Sequence, residues 1–325
     1  MRAIVFNGHG GPEVLSIAER PDPHPRDGMV IVRVRAFGLN RAATYMRRGI
    51  WGEVAAISGI ECVGEVENDP SGRFPAGTKV AALMGGMGRS IDGSYAERTS
   101  VPRANVVPLV STLSWADLAA IPESFATAWT CLMRNLALGS GQTVLIRGGT
   151  SALGLASITL AAGCGARVLA STRRADRAPL LLAQGAHRVV IEKPNLAEEV
   201  RRDTAPGLDA VLDIVGTATL LDSLAMTRRG GRVCMAGFLG GHGGIADFDP
   251  LHHLPSGVQL SLFASFLFGS PGFPLDDVPL QSLVSGVEAG RYRAGPARVF
   301  PFEEIGAAHR LMETGGAGGK LVVTT

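Results

Sequence analysis

Charge is scarce in this 325-residue chain: 18% of positions carry Asp, Glu, Lys or Arg, and the balance is only +2. That argues against nucleic-acid binding through a basic face, because the arginine pairs at 47–48, 173–174, 201–202 and 228–229 are scattered rather than gathered into a patch. Long apolar runs are missing too. The longest largely apolar one, Leu260 to Phe268, falls far short of the roughly 20 residues a bilayer-spanning helix needs, so no membrane partner is expected. Cysteine is sparse: Cys62, Cys131, Cys164 and Cys234 show no paired spacing, which argues against a disulfide framework and suits a reducing compartment. The start, MRAIVFNG, enters a strand-like pattern with no basic and apolar leader regions, so a cytoplasmic protein is expected.

What is present points to a buried, two-domain protein. At 325 residues the chain exceeds one ordinary core, 46% of it is apolar, and 43 glycines signal tight turns or close backbone approaches to a ligand. Up to about Val110 the pattern is short β runs broken by Gly and Pro, as in MVIVRVRAFG, ECVGEVE and GTKVAALM. From Trp115 the period changes. WADLAAIPESFATAWTCLMRNLAL reads as helical, and TVLIR, RVLAST, RVVI, LDAVLDIVG and GRVCMAGF read as strands with helices between them. Such alternation predicts the α/β class, with a doubly wound parallel sheet covered by helices on both faces. The tail, a helix near 279–290 and a closing strand KLVVTT, makes no core alone and is assigned to the first domain. The expected division is 1–120 with 266–325, and 121–265. Phe263, Phe266 and Phe268 read as sheet core rather than as an aromatic substrate box.

One stretch carries chemistry. LIRGGTSALG sits between the first strand of the alternating region and the helix after it, where a helix N-terminus offers backbone N–H groups and a positive dipole end to a pyrophosphate. Gly148, Gly149, Thr150, Ser151, Ala152, Leu153 and Gly154 are the expected cofactor contacts. Ser151 stands where a dinucleotide fingerprint has its middle glycine; it adds one hydroxymethyl group and a possible donor, which the site tolerates. The alternative is an ordinary glycine-rich βα turn. At the end of the next strand come Thr172, Arg173 and Arg174, then Arg177, with no acid before Asp176. An acid there would bind the ribose hydroxyls of NAD, whereas guanidinium groups fit a 2′-phosphate, so NADP(H) is the expected cofactor, with Lys193 within reach of the same pocket. A solvated basic helix start is the competing reading. Gly237 and Phe238 follow a later strand, at the sheet edge where open α/β folds bind ligands.

MRAIVFNGHGGPEVLSIAERPDPHP, GLNRAATYMRRG, GIECVGEVE, GSYAER, FATAWTCL, the turn and HRLMETGGAGGKLVVTT together resemble the zinc-free quinone oxidoreductases of the medium-chain dehydrogenase/reductase superfamily, the group that includes zeta-crystallin. The resemblance spans essentially the whole chain. It implies a GroES-like, mostly-β catalytic domain, a Rossmann domain, a cofactor cleft between them and a homodimer joined through the Rossmann sheets. Zinc members carry a Cys near Asn40 and Gly-His-Glu where this chain has Gly59-Ile60-Glu61, so no metal is expected. Adjacent His252 and His253 read as surface residues. Without zinc to polarise a carbonyl, the acceptor must take hydride readily, as quinones and α,β-unsaturated carbonyls do. Asn40, Tyr45 and Thr127 match family positions lining nicotinamide and substrate: Asn40 and Thr127 as orienting groups, Tyr45 as a hydrogen-bond or proton donor. Each has a structural alternative: a turn cap for Asn40, packing for Tyr45, a bond to its own helix for Thr127. The implied activity is an NADPH-dependent quinone or enone reductase. A 2-alkenal or enoyl-thioester reductase and a non-catalytic NADPH-binding protein are the alternatives.

Overall fold

The computed structural model describes residues 1–52 and 54–325. Strands β1 (Arg2–Phe6) and β2 (Leu15–Glu19) form an antiparallel hairpin, and β3 (Met29–Gly38) follows as a ten-residue strand. Its sequence, MVIVRVRAFG, is buried at both ends, where Val30 to Val32 and Ala36 to Gly38 are covered, and alternates only in the middle, around buried Val34. Arg33 and Arg35 lie on the outer face and pair with Glu67 and Glu65 at 3.2 and 2.7 Å. The short helix α1 (Arg41–Arg47) leads on to β4 (Glu61–Asn68), β5 (Lys79–Leu83), β6 (Arg98–Pro102) and β7 (Val106–Pro108).

The helical stretch expected from Trp115 is broken. Helix α2 (Trp115–Ala119), capped by Ser114 through the Asp117 N–H, stops before Pro122, and Pro122 opens α3 (Pro122–Trp129). Proline has no N–H for the preceding turn and a φ suited to the first helical position, so it ends one helix and starts the next. A π-type turn, Thr130–Asn135, continues α3.

The alternating region gives the expected α/β layers. β8 (Thr143–Arg147), α4 (Ala152–Gly163), β9 (Arg167–Thr172), α5 (Ala178–Gln184), β10 (Arg188–Ile191), α6 (Leu196–Asp203), β11 (Leu208–Asp213), α7 (Thr217–Ala225), β12 (Thr227–Met235), α8 (Pro250–His253) and β13 (Gln259–Leu262) follow in turn. All the strands run parallel, in the order β10-β9-β8-β11-β12-β13. The order reverses between β8 and β11, and the loops at the carboxyl ends of those two strands diverge there.

The chain then returns with α9 (Leu280–Glu288), β14 (Pro296–Pro301), α10 (Ile305–Glu313) and β15 (Lys320–Thr324). β15 lies parallel to β14 and antiparallel to β3, completing a sheet of order β14-β15-β3-β4-β5-β7 with β6 against β3. Two compact units result: Met1–Glu123 with Ser265–Gly290 and Ala294–Thr325, and Ser124–Ala264 with Arg291–Arg293.

Candidate active site

The Gly148–Gly154 turn joins β8 to α4 at the reversal point of the parallel sheet. Gly148 has φ +84°, and Gly149 donates to Ser171 O at 3.0 Å, pinning the turn on β9. Gly154 is fixed by space: a Cβ there would stand 2.5 Å from Gly148 O and 2.7 Å from Gly149 O. Ser151 is the N-cap of α4. Its Oγ accepts from Gly154 N at 3.0 Å and donates to Gly148 O at 2.9 Å, so the hydroxyl serves the helix and is not the outward donor that the sequence allows. The N–H groups of Ala152 and Leu153, in the first turn of α4, have no acceptor within the helix.

The basic residues past β9 divide. Arg174 pairs with Asp176 at 2.5 Å, which holds that carboxyl below its usual range, and Lys193 pairs with Glu199 at 2.5 Å. Thr172 is buried, and its Oγ1 accepts from Arg174 N. Arg173 is exposed and has no ion pair among the described residues; Arg177 is half-buried. At the far ends of β11 and β12, Leu239 and Gly240 donate to Ile214 O and Val215 O. Gly237 lies so close that a Cβ would meet Ile214 O at 2.5 Å, and Phe238 stacks on His242 with centroids 5.3 Å apart.

Beneath the turn lies a polar network that sequence reading missed. The Arg147 side chain, at the end of β8, is buried and bonds Glu192 at 2.9 Å, Asp222 at 2.8 Å, Thr219 O and Ser223 Oγ. Glu192 also accepts from Ser171 Oγ at 2.5 Å. Asp213, at the end of β11, accepts from the N–H groups of Val215 and Gly216 and from Thr219 and Ser223; burial nonetheless pushes its carboxyl above the ordinary value. The signal was present in TVLIR: a terminal arginine on an otherwise apolar strand needs a partner.

In the other unit, Asn40 stands at the N-cap position of α1 and Tyr45 lies within that helix. Asn40 Nδ2 donates to Glu61 Oε1 at 2.8 Å, and its Oδ1 accepts from Lys320 Nζ at 2.7 Å. Lys320 and Glu61 form a buried ion pair at 2.5 Å, and Glu123 N donates to Glu61 Oε2 at 2.8 Å. Asn40 is thereby tied at both ends, so the structure makes it a member of a fixed Glu61–Lys320 cluster. Tyr45 is half-buried with its ring 5.3 Å from Trp51, and burial raises its phenol pKa against the pull of Arg41 and Arg48. Thr127 lies buried in α3, in the parallel-sheet unit. Ile60 is 4% exposed. His252 and His253 are exposed or half-exposed, with His252 Nδ1 2.6 Å from Asp249, and no group of three or more metal-ligand side chains occurs among the described residues.

Residues 26–111 match the family described as alcohol dehydrogenase GroES-like domain, and residues 184–323 match that described as zinc-binding dehydrogenase. Human quinone oxidoreductase is 26% identical over 332 residues, covering 99% of this chain and 97% of the relative. With both domains matched, the chain belongs to the medium-chain dehydrogenase/reductase superfamily, and it is similar to quinone oxidoreductases over its whole length. Within this superfamily the chain is also similar to a 2-haloacrylate reductase of a Burkholderia species, 28% identical with 95% of each chain covered. Escherichia coli quinone oxidoreductase, solved in complex with NADPH, shares the superfamily fold with a TM-score of 0.86 at 22% identity, over 100% of both chains.

Proposed function

We propose that this chain is an NADPH-dependent reductase of quinones or α,β-unsaturated carbonyls. The Gly148–Gly154 turn carries the reading: Gly154 leaves no room for a side chain where helix and strand come closest, and the first N–H groups of α4 have no acceptor within the helix. Those residues fit a dinucleotide pyrophosphate, and NADPH bound there supplies a hydride equivalent. Arg173, exposed and without an acid partner among the described residues, is our candidate for the 2′-phosphate, with Thr172, Arg174, Arg177 and Lys193 as further candidates. The Tyr45 phenol, kept protonated by its raised pKa, donates to the oxygen on which charge develops. Asn40, held by Glu61 and Lys320, and Thr127 orient the reactants. Asn40 and Ile60 stand at the two positions where zinc relatives place ligands, and the reaction is read as metal-free.

The similarity to a 2-haloacrylate reductase favours an activated alkene as the second acceptor class. Free thiols at all four cysteines fit a reducing cytoplasm, and among the described residues no helix is long and apolar enough to cross a membrane. We read the assembly as a homodimer joined along β13. That strand ends the parallel sheet and exposes Leu260 at 40% and Leu262 at 56%.

Cofactor titration and a panel of quinones, enones and 2-alkenals test the reading. NADPH is expected to bind about tenfold or more tightly than NADH, the value of one charge-assisted phosphate contact. Equal dissociation constants would remove the 2′-phosphate assignment. NADPH binding without oxidation by any acceptor would leave a non-catalytic binding protein.

A further inference from the structure

Arg89 occupies an unusual place in the Gly85–Asp92 loop. Its guanidinium lies over the Trp51 ring at 5.8 Å and over the Phe266 ring at 5.0 Å, and Trp51 in turn packs on Tyr45. Phe266 is 54% exposed, unlike buried Phe263 and Phe268, so it is not the sheet-core residue the sequence suggested. A guanidinium held against ring faces keeps its in-plane N–H donors for oxygen atoms, and the stacking lowers the entropy lost when it binds them.

Arg41 and Arg48, both on or next to α1, act electrostatically on the Tyr45 hydroxyl, and among the described residues no carboxylate acts on it with them. Arg47 and Arg48 are engaged by Glu313, whereas Arg41 and Arg89 have no carboxylate within ion-pair distance among the described residues. A neutral quinone offers two such cations carbonyl acceptors but no opposite charge. An acceptor with a negatively charged end does.

We propose that Arg89, steadied by Trp51 and Phe266 and assisted by Arg41, is an anion subsite for the end of the acceptor remote from its conjugated carbonyl. The inference rests on the reductase reading and deepens it: the preferred acceptors are enals, enones or enoyl thioesters that carry carboxylate or phosphate oxygens. Two matched pairs of acceptors, each with one reacting centre, separate the sources. An ω-carboxy-2-alkenal against its methyl ester reports on carboxylate, and crotonyl coenzyme A against crotonyl N-acetylcysteamine reports on phosphate.

In at least one pair the charged member should have the larger kcat/KM by about tenfold, carried mainly by KM. Arg89→Gln should bring that ratio close to one, and raising the salt concentration should shrink it in the wild-type chain. Arg89→Lys, which keeps the charge but loses the planar fork, should restore part of it. Ratios near one in both pairs, while a neutral quinone is still reduced, would overturn the subsite and leave the reductase reading intact. A ratio that Arg89→Gln leaves unchanged would also overturn it. No NADPH oxidation with any acceptor would overturn the reductase reading and the subsite together.

Discussion

Burial acts on half-buried Tyr45 and on fully buried His309 with opposite consequences. A phenol whose pKa lies above its ordinary value of about 10 stays protonated at neutral pH, which suits the donor role proposed for Tyr45 and not that of a base. Tyr45→Phe should lower kcat/KM roughly tenfold to a hundredfold, about 1.4–2.7 kcal/mol, with little change in NADPH affinity. Unchanged steady-state kinetics would make Tyr45 a packing residue. His309, on α10, is buried with Nε2 3.1 Å from the Tyr95 hydroxyl and, among the described residues, no partner for Nδ1; the charge of Arg47 acts on it. Burial, then the Arg47 charge, lowers its pKa to about 3. Below the unfolded value of about 6.5 only the unfolded chain takes up this proton, so the folded state loses about 1.4 kcal/mol per pH unit as pH falls toward 3. Unfolding free energies at pH 7 and pH 5 should therefore differ by about 2 kcal/mol less in His309→Gln than in the wild-type chain. Parallel losses would show that the ring is protonated in place. Neither environment was legible in the sequence, because burial comes from elements far apart along the chain.

The βα turn is the element that the sequence disclosed most fully. An apolar strand, a glycine run and a helix are local signals, and the structure places them at the reversal of strand order. The role of Ser151 was not local: its hydroxyl is used up as the cap of α4. Gly154 is the stricter position. Gly154→Ala places a methyl 2.5 Å from Gly148 O, which forces α4 away from β8. Loss of measurable NADPH binding is expected, with thermal stability lower by about 1–3 kcal/mol from the strain. An alanine variant that binds NADPH normally in calorimetry would show that the turn relaxes freely. The missed elements were the long-range ones: Arg147 meets Glu192 from beyond β10 and Asp222 from α7, and Glu61 meets Lys320 from the start of β15. No spacing rule joins such positions. Pro122 was visible in the sequence, yet its break between α2 and α3 was overlooked in a segment of uniform helical composition.

Alternation of strands and helices was enough to predict the α/β class and the parallel sheet, since a helical crossover imposes parallel neighbours. Strand order was not, because it is decided by which faces pack last. The outer strand β13 makes the proposed dimer testable. Leu262→Arg adds a charge to an exposed apolar edge, and light scattering should report a shift from dimer to monomer without loss of helical signal. A dimer of unchanged mass would place the interface elsewhere. The sheet that holds Asn40 and Glu61 has a different peculiarity: β15, from the far end of the sequence, lies between β3 and β14. During ribosomal synthesis this sheet waits for the final strand, while almost all of the parallel-sheet unit is already in hand once Ala264 has emerged. Nascent chains stalled past Ala264 should thus yield a protease-resistant fragment near 124–264, with the amino-terminal segment still digestible until β15 is released.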